Sequence, residues 1–186
     1  MHPGSIHYGI EPYADILAEV VAKHELVYGS AYGGITTLSN AHCILYLNEV
    51  ETSVTINFAL ASAPEKKYGV LDFLMAMVPD GARKYPLHVS DTVIGEDRVK
   101  QELGLIRDVL ASGVMDCVLK GDQSWIPMLE EFNAEYDRLY YILLDPPLDE
   151  HPEKPIIRRK QAEYDLSWMD DVKRLLAEAE SSKQPE

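Results

Sequence analysis

Val54, Ile56, Phe58 and Leu60 alternate with Thr55, Asn57 and Ala59. A period of two sends successive side chains to opposite faces of a strand, so this segment requires a sheet with one face on a core. Residues 42–47 read as a second strand and residues 35–38 as a shorter third. Asn48-Glu49-Val50-Glu51 joins the two longer strands. A connection that short suits a hairpin and not a crossover helix, so the sheet is expected to be antiparallel.

Helical periods flank this sheet. Residues 11–28 read as a first helix, with Pro12 in its first turn, a stripe of Ile16, Leu17, Val20, Val21 and Val27, and Gly29 as its stop. His24 falls near the middle of the stripe and is expected to be a hydrogen-bonded core residue. Residues 29–34 are glycine-rich, but no Gly-Lys-Ser/Thr follows, so they read as a loop into a strand and not as a phosphate loop. Residues 61–67 read as a loop. Residues 68–78 read as a buried helix, apolar almost all round except for Asp72, ended by Pro79-Asp80-Gly81. Residues 84–89 contain Pro86 and read as an edge strand or a loop.

The second half is mainly helical. Val99, Leu103, Ile106 and Leu110 mark a helix over 95–112, with Gly113 as its cap. A short helical turn over 114–120 follows. The next helix runs from Trp125 to about Leu143 and buries Leu129, Phe132, Tyr136, Leu139, Tyr140 and Leu143. Residues 145–155 hold four prolines and several acids and read as an extended linker. The island Arg158-Arg159-Lys160 follows, then a last helix over 167–180 and a frayed tail over 181–186. The expected fold is a single α+β domain over 1–186: an N-terminal helix, a small antiparallel sheet and a mainly helical C-terminal half.

Charge narrows the function. Seventeen basic against 31 acidic side chains leave a net charge of −14. Such a surface repels phosphate backbones and anionic membranes, so neither nucleic acid nor membrane is an expected partner, while a more basic protein is attracted. The longest apolar runs, 70–78 and 139–144, are too short to span a bilayer. The first residues, Met1-His2-Pro3-Gly4-Ser5-Ile6, lack the basic and apolar regions of a signal peptide. Cys43 and Cys117 form neither a disulfide framework nor a zinc pattern, which together points to a reducing cytoplasm.

No catalytic or cofactor motif is present: no HExxH, CxxC, Gly-x-Ser-x-Gly, EF-hand or Rossmann fingerprint. The histidines are scattered. The helical acidic pairs Glu130-Glu131 and Asp170-Asp171 read as solvated faces, because adjacent residues on a helix do not face one another, and Asp149-Glu150, in the linker, reads as solvated too. No catalytic residue, metal ligand or cofactor is therefore assigned.

The one recurring local pattern contains both tryptophans: Asp122-Gln123-Ser124-Trp125 and Asp165-Leu166-Ser167-Trp168. Each serine suits a helix N-cap, with Ser167-x-x-Asp170 close to a capping box. Trp168 reads as a docking residue in a stripe with Val172, Leu175 and Ala179. For Trp125 two readings stand, a core residue or an exposed anchor for a partner. The outward face of its helix carries Glu130, Ala134, Asp137, Arg138 and Tyr141. Trp125, Asp122, Glu130, Asp137 and Tyr141 are thus the candidate partner-binding residues.

The stretch Gly121-Asp122-Gln123-Ser124-Trp125-Ile126-Pro127, with the acidic helix after it, resembles a turn-helix step of small acidic bacterial cytoplasmic proteins, some of them of the immunity type. The resemblance covers that helix-turn-helix alone and carries over no functional residue. It implies an immunity-type role, while the negative charge, the absent catalytic motifs and the small size point to a non-enzymatic protein-binding domain with a more basic partner. Two alternatives accompany it: a small enzyme with a nonstandard site around His24 or His42, and a homo-oligomeric subunit with a seam of tryptophan-bearing helices.

Overall fold

The computed structural model describes residues 10–31, 35–50, 53–144 and 151–181. The readings made for the first nine residues, Tyr32 to Gly34, Glu51, the Asp149-Glu150 pair with the rest of 145–150, and 182–186 lie outside them. A short 3-10 turn, Glu11–Tyr13, leads into α1 (Ala14–Lys23). Five strands follow: β1 (Val27–Ala31), β2 (Ile35–Ser39), β3 (Cys43–Val50), β4 (Ser53–Leu60) and β5 (Ala63–Gly69). They form one antiparallel meander in the order β1-β2-β3-β4-β5. The chain then becomes helical: α2 (Val70–Met77), α3 (Gly81–Lys84), α4 (Gly95–Ala111), α5 (Asp116–Leu119), α6 (Trp125–Leu144), α7 (Lys154–Ala162) and α8 (Ser167–Ser181). The fold is α+β, with an N-terminal helix, an antiparallel sheet and a mostly helical C-terminal half.

The alternation in β4 has the expected effect. Val54, Ile56, Phe58 and Leu60 enter the core, where Leu45 pairs with Phe58 and Leu47 with Ile56 across the ladder. Leu17 and Val20 of α1, Phe73 and Leu74 of α2, and Val99, Leu103 and Ile106 of α4 close that face. Glu102, also on the buried face of α4, is fully buried. Its carboxylate accepts from the Val54 amide (2.6 Å), the Ser53 hydroxyl (3.0 Å) and Arg98 Nε (3.2 Å), so α4 holds the first residues of β4 in place.

Three sequence readings are corrected. The first helix stops at Lys23, and Val27 and Gly29 lie in β1. Its stop is a Schellman turn with Glu25 at φ 52°: the Leu26 amide donates to the Val21 carbonyl and the Glu25 amide to that of Ala22. No glycine marks that turn, so the apolar stripe runs past it. Residues 63–69 form strand β5 and not a loop, with Tyr68 in the strand; Pro64, Lys66 and Lys67 are tolerated because β5 is an edge. Residues 154–162 form α7, so the linker ends before Pro155, which sits in the helix's first turn where its missing N–H costs nothing. For residues 84–89, the loop alternative holds beyond the last residue of α3.

A second core lies in the C-terminal half. Leu139 and Leu143 of α6, Ile157 of α7, and Trp168, Met169, Val172 and Leu175 of α8 cluster away from the sheet. Helix α6 therefore serves both cores, Trp125 and Leu129 in the first and Leu139 and Leu143 in the second. At about 1.5 Å per residue it bridges roughly 30 Å.

Candidate protein-binding face of the bridging helix

The site residues follow from how α6 begins. The Asp122 amide donates to the Cys117 carbonyl and the Gly121 amide to that of Val118, a Schellman turn with Gly121 at φ 81°. The Asp122 carboxylate then accepts from the Ser124 amide at 2.8 Å. Backbone and side-chain hydrogen bonds from Ser124 hold that carboxyl below its ordinary range. The second tryptophan motif repeats the same corner. Tyr164 has φ 56°, Asp165 donates back to the Lys160 carbonyl, and its carboxylate accepts from the Ser167 amide at 3.1 Å. In both corners the aspartate, two residues before the expected capping serine, accepts the amide at the helix start.

The corner aims each indole inward. Trp125 is 1% exposed, edge-on to Phe58, Tyr68 and Phe73 with ring centroids 5.3, 5.1 and 6.0 Å away. Trp168 is fully buried against Tyr136 at 5.2 Å. Trp125 is thus a core residue and not an exposed anchor, and neither tryptophan is available for a seam between copies.

The other candidates divide. Asp122 is exposed, but its carboxylate builds the turn. Glu130 is exposed and engaged with Lys66 and Tyr68 of β5, which lower its pKa. Asp137 is exposed and has no hydrogen bond or ion pair among the described residues. Tyr141 is 65% exposed, with its ring against Tyr140. Glu130, Ala134, Asp137 and Tyr141 share one face of the helix and are all exposed. One further acid lies close behind this face: Asp72, in the first turn of α2, has its pKa raised by burial and by the neighbouring charge of Asp137.

Beside this face, α6 and α8 border an open cleft of about 770 Å³. Met128, Phe132 and Met169 supply its apolar part; Glu131, Glu135, Arg138 and Lys173 supply charge. Arg138, then Lys173, hold Glu135 at a pKa of about 2, so that carboxylate is already neutralised within the protein. Glu131 has no such partner among the described residues. The cleft was not legible in the sequence, because it depends on α8 packing beside α6. The one local signal was Met128, which falls outside the buried stripe.

The histidines named in the enzyme alternative do not join this site. His42 is exposed beside Gly121, while its neighbour Cys43 is buried. His24 is buried at the C-terminus of α1, but its Nε2 has no hydrogen-bond partner among the described residues, contrary to the expectation of a bonded core histidine. Among the described residues no three His, Cys, Asp or Glu side chains are grouped to hold a metal ion. No helix of those residues is long and apolar enough to cross a membrane. No family model matches the chain, and neither a curated protein nor a solved structure matches it.

Proposed function

We propose that this chain is a non-enzymatic binding protein, of the immunity type, whose α6 face receives a more basic protein partner. The observation that carries this reading is the outward row of α6. There, a carboxylate with no partner among the described residues, Asp137, stands one turn from a largely exposed tyrosine, Tyr141. An exposed tyrosine covers a large area at small entropic cost, and an uncommitted carboxylate gives a cationic side chain a place to pair. The adjoining methionine-lined cleft adds a pliable apolar surface of the kind that adapts to a partner. The net charge of −14 steers a basic protein toward the whole molecule. A reducing cytoplasm suits the two free cysteines; burial separately pushes the Cys43 thiol up to about 11, which leaves it unreactive in any compartment.

The test is calorimetry of the purified chain against the products of co-encoded neighbouring genes. A basic partner binds, the affinity falls as salt rises, and Tyr141→Ala combined with Asp137→Lys weakens it about tenfold or more. Absence of any binding, or binding indifferent to salt and to both substitutions, refutes the assignment.

A further inference from the structure

The two edges of the sheet are guarded unequally. β5 carries Pro64, Glu65, Lys66 and Lys67, residues that discourage another strand from pairing. β1, at the opposite edge, reads Val27-Tyr28-Gly29-Ser30-Ala31, with no charge and no proline. Its first four residues are exposed, Val27 by 66%. Among the described residues β2 alone pairs with it, so a row of backbone groups along its far side has no strand partner among them. The strand is also held in place: the Tyr28 hydroxyl donates to the Ala14 carbonyl at 3.1 Å, and Thr37 Oγ1 occupies the space beside Gly29.

We propose that β1 pairs antiparallel with β1 of a second copy, joining two five-stranded sheets across a two-fold axis. Local chemistry selects a second copy over the basic partner of α6. A strand adapted to a cationic chain would set carboxylates opposite it, and β1 has none. Like charges directly opposite one another destabilise a ladder, so a chain with a net charge of −14 can pair with itself only where acids are kept out of the seam. β1 itself carries no acid; Asp15 of α1, near the Tyr28 hydroxyl, reaches it from the helix side. An axis through Gly29 sets Val27 opposite Ala31 of the second copy and Tyr28 opposite its Ser30, with no side chain at the centre. The seam lies across the sheet from α6, whose Trp125 rests on Phe58 of β4 and Tyr68 of β5, so the two surfaces are independent.

Sedimentation velocity of the full chain, from micromolar to near-millimolar concentration at low and high salt, tests this. A reversible dimer forms, and its fraction grows with salt because screening relieves repulsion between two acidic chains. The complex with a basic partner responds to salt in the opposite sense, so the two readings fail separately. Val27→Glu, at an exposed position, weakens the dimer about tenfold or more while leaving the thermal melt of the monomer unchanged. In the unsubstituted chain, amide exchange of β1 slows as protein concentration rises. A monomer at every concentration in high salt overturns the proposal. So does a dimer that Val27→Glu leaves intact and in which the β1 amides stay unprotected.

Discussion

The indole N–H of Trp125 donates to the backbone carbonyl of Asp122 at 2.6 Å, three residues before it. One aspartate therefore serves the corner twice: its carboxylate accepts from the Ser124 amide, and its carbonyl satisfies the only polar group of a buried ring. A large aromatic side chain enters the core without leaving its donor unpaired.

Trp125→Ala removes both that bond and the centre of the Phe58–Tyr68–Phe73 cluster. The expected loss is about 3–5 kcal/mol in urea unfolding. Trp168→Ala empties the other core and should cost a similar amount. Because the cores are separate clusters, its damage should concentrate in α7 and α8. Hydrogen exchange of the sheet amides checks this: protection of β3 and β4 should fall less with Trp168→Ala than with Trp125→Ala.

Glu102→Ala leaves the buried Val54 amide and the Ser53 hydroxyl without their carboxylate acceptor, and leaves Arg98 paired with Asp91 but not with its buried partner. An orphaned buried donor is costlier than the net worth of the bond it lost, so the expected destabilisation is about 3 kcal/mol. Glu102→Gln keeps one carbonyl oxygen and should lose less. Equal loss for both in urea titration would show that the charge on Glu102, and not its acceptor capacity, holds β4.

Gly121→Ala places a methyl group 2.7 Å from His42 Nδ1 on a backbone with φ 81°. The left-handed backbone alone costs an L-residue about 1–2 kcal/mol. Glu25 and Tyr164 occupy the same position in their own Schellman turns without glycine, so the imidazole is the feature particular to Gly121. His42 is exposed, and His42→Ala alone should change stability by less than about 0.5 kcal/mol. Combined with Gly121→Ala it should recover part of the loss, a coupling measurable by a double-mutant cycle.

These positions show where the sequence was readable. The β4 alternation and the stripes of α4 and α6 were legible because one residue type repeated at one period reports a buried face directly. The end of α1 was not, because Glu25 takes a left-handed backbone that sequence reasoning assigns to glycine, and α7 was not read as a helix at all, because the four prolines of 145–155 point to an extended chain. β5 was hidden by the very residues that protect an edge. Glu102 looked like any helical acid, since its main partner, Val54, lies 48 residues away. At the candidate face, the outward turn of Asp137 and Tyr141 followed from the helical wheel. The inward turn of Trp125 depended on Phe58, Tyr68 and Phe73, brought together only by the fold.

Tyr141→Ala separates binding from stability. The side chain is largely exposed, so its removal should change the unfolding free energy measured in urea by less than about 0.5 kcal/mol. A larger loss would mean that the ring is anchored to its own protein and is a poor candidate for a partner.

The pH dependence of Asp72 runs against the usual carboxylate pattern. Burial, then the charge of Asp137, raises its pKa above 3.8 in the folded chain. A folded state that binds the proton more tightly gains stability from this group as pH falls through the raised pKa toward the unfolded value. At neutral pH the ionised side chain therefore detracts from stability. Glu135 has the opposite sign: held at about 2 against an ordinary 4.5, it supports the fold above the unfolded value, and that support is lost as pH falls through about 2. Asp72→Asn should thus stabilise the protein at pH 7, by an amount that shrinks on acidification and vanishes below the ordinary aspartate value of 3.8. Asp137→Asn should act in the same direction more weakly, since its charge is the smaller cause. Urea midpoints of both variants at neutral and acidic pH decide the matter. If Asp72→Asn instead destabilises at pH 7, the first turn of α2 favours the negative charge by more than burial opposes it.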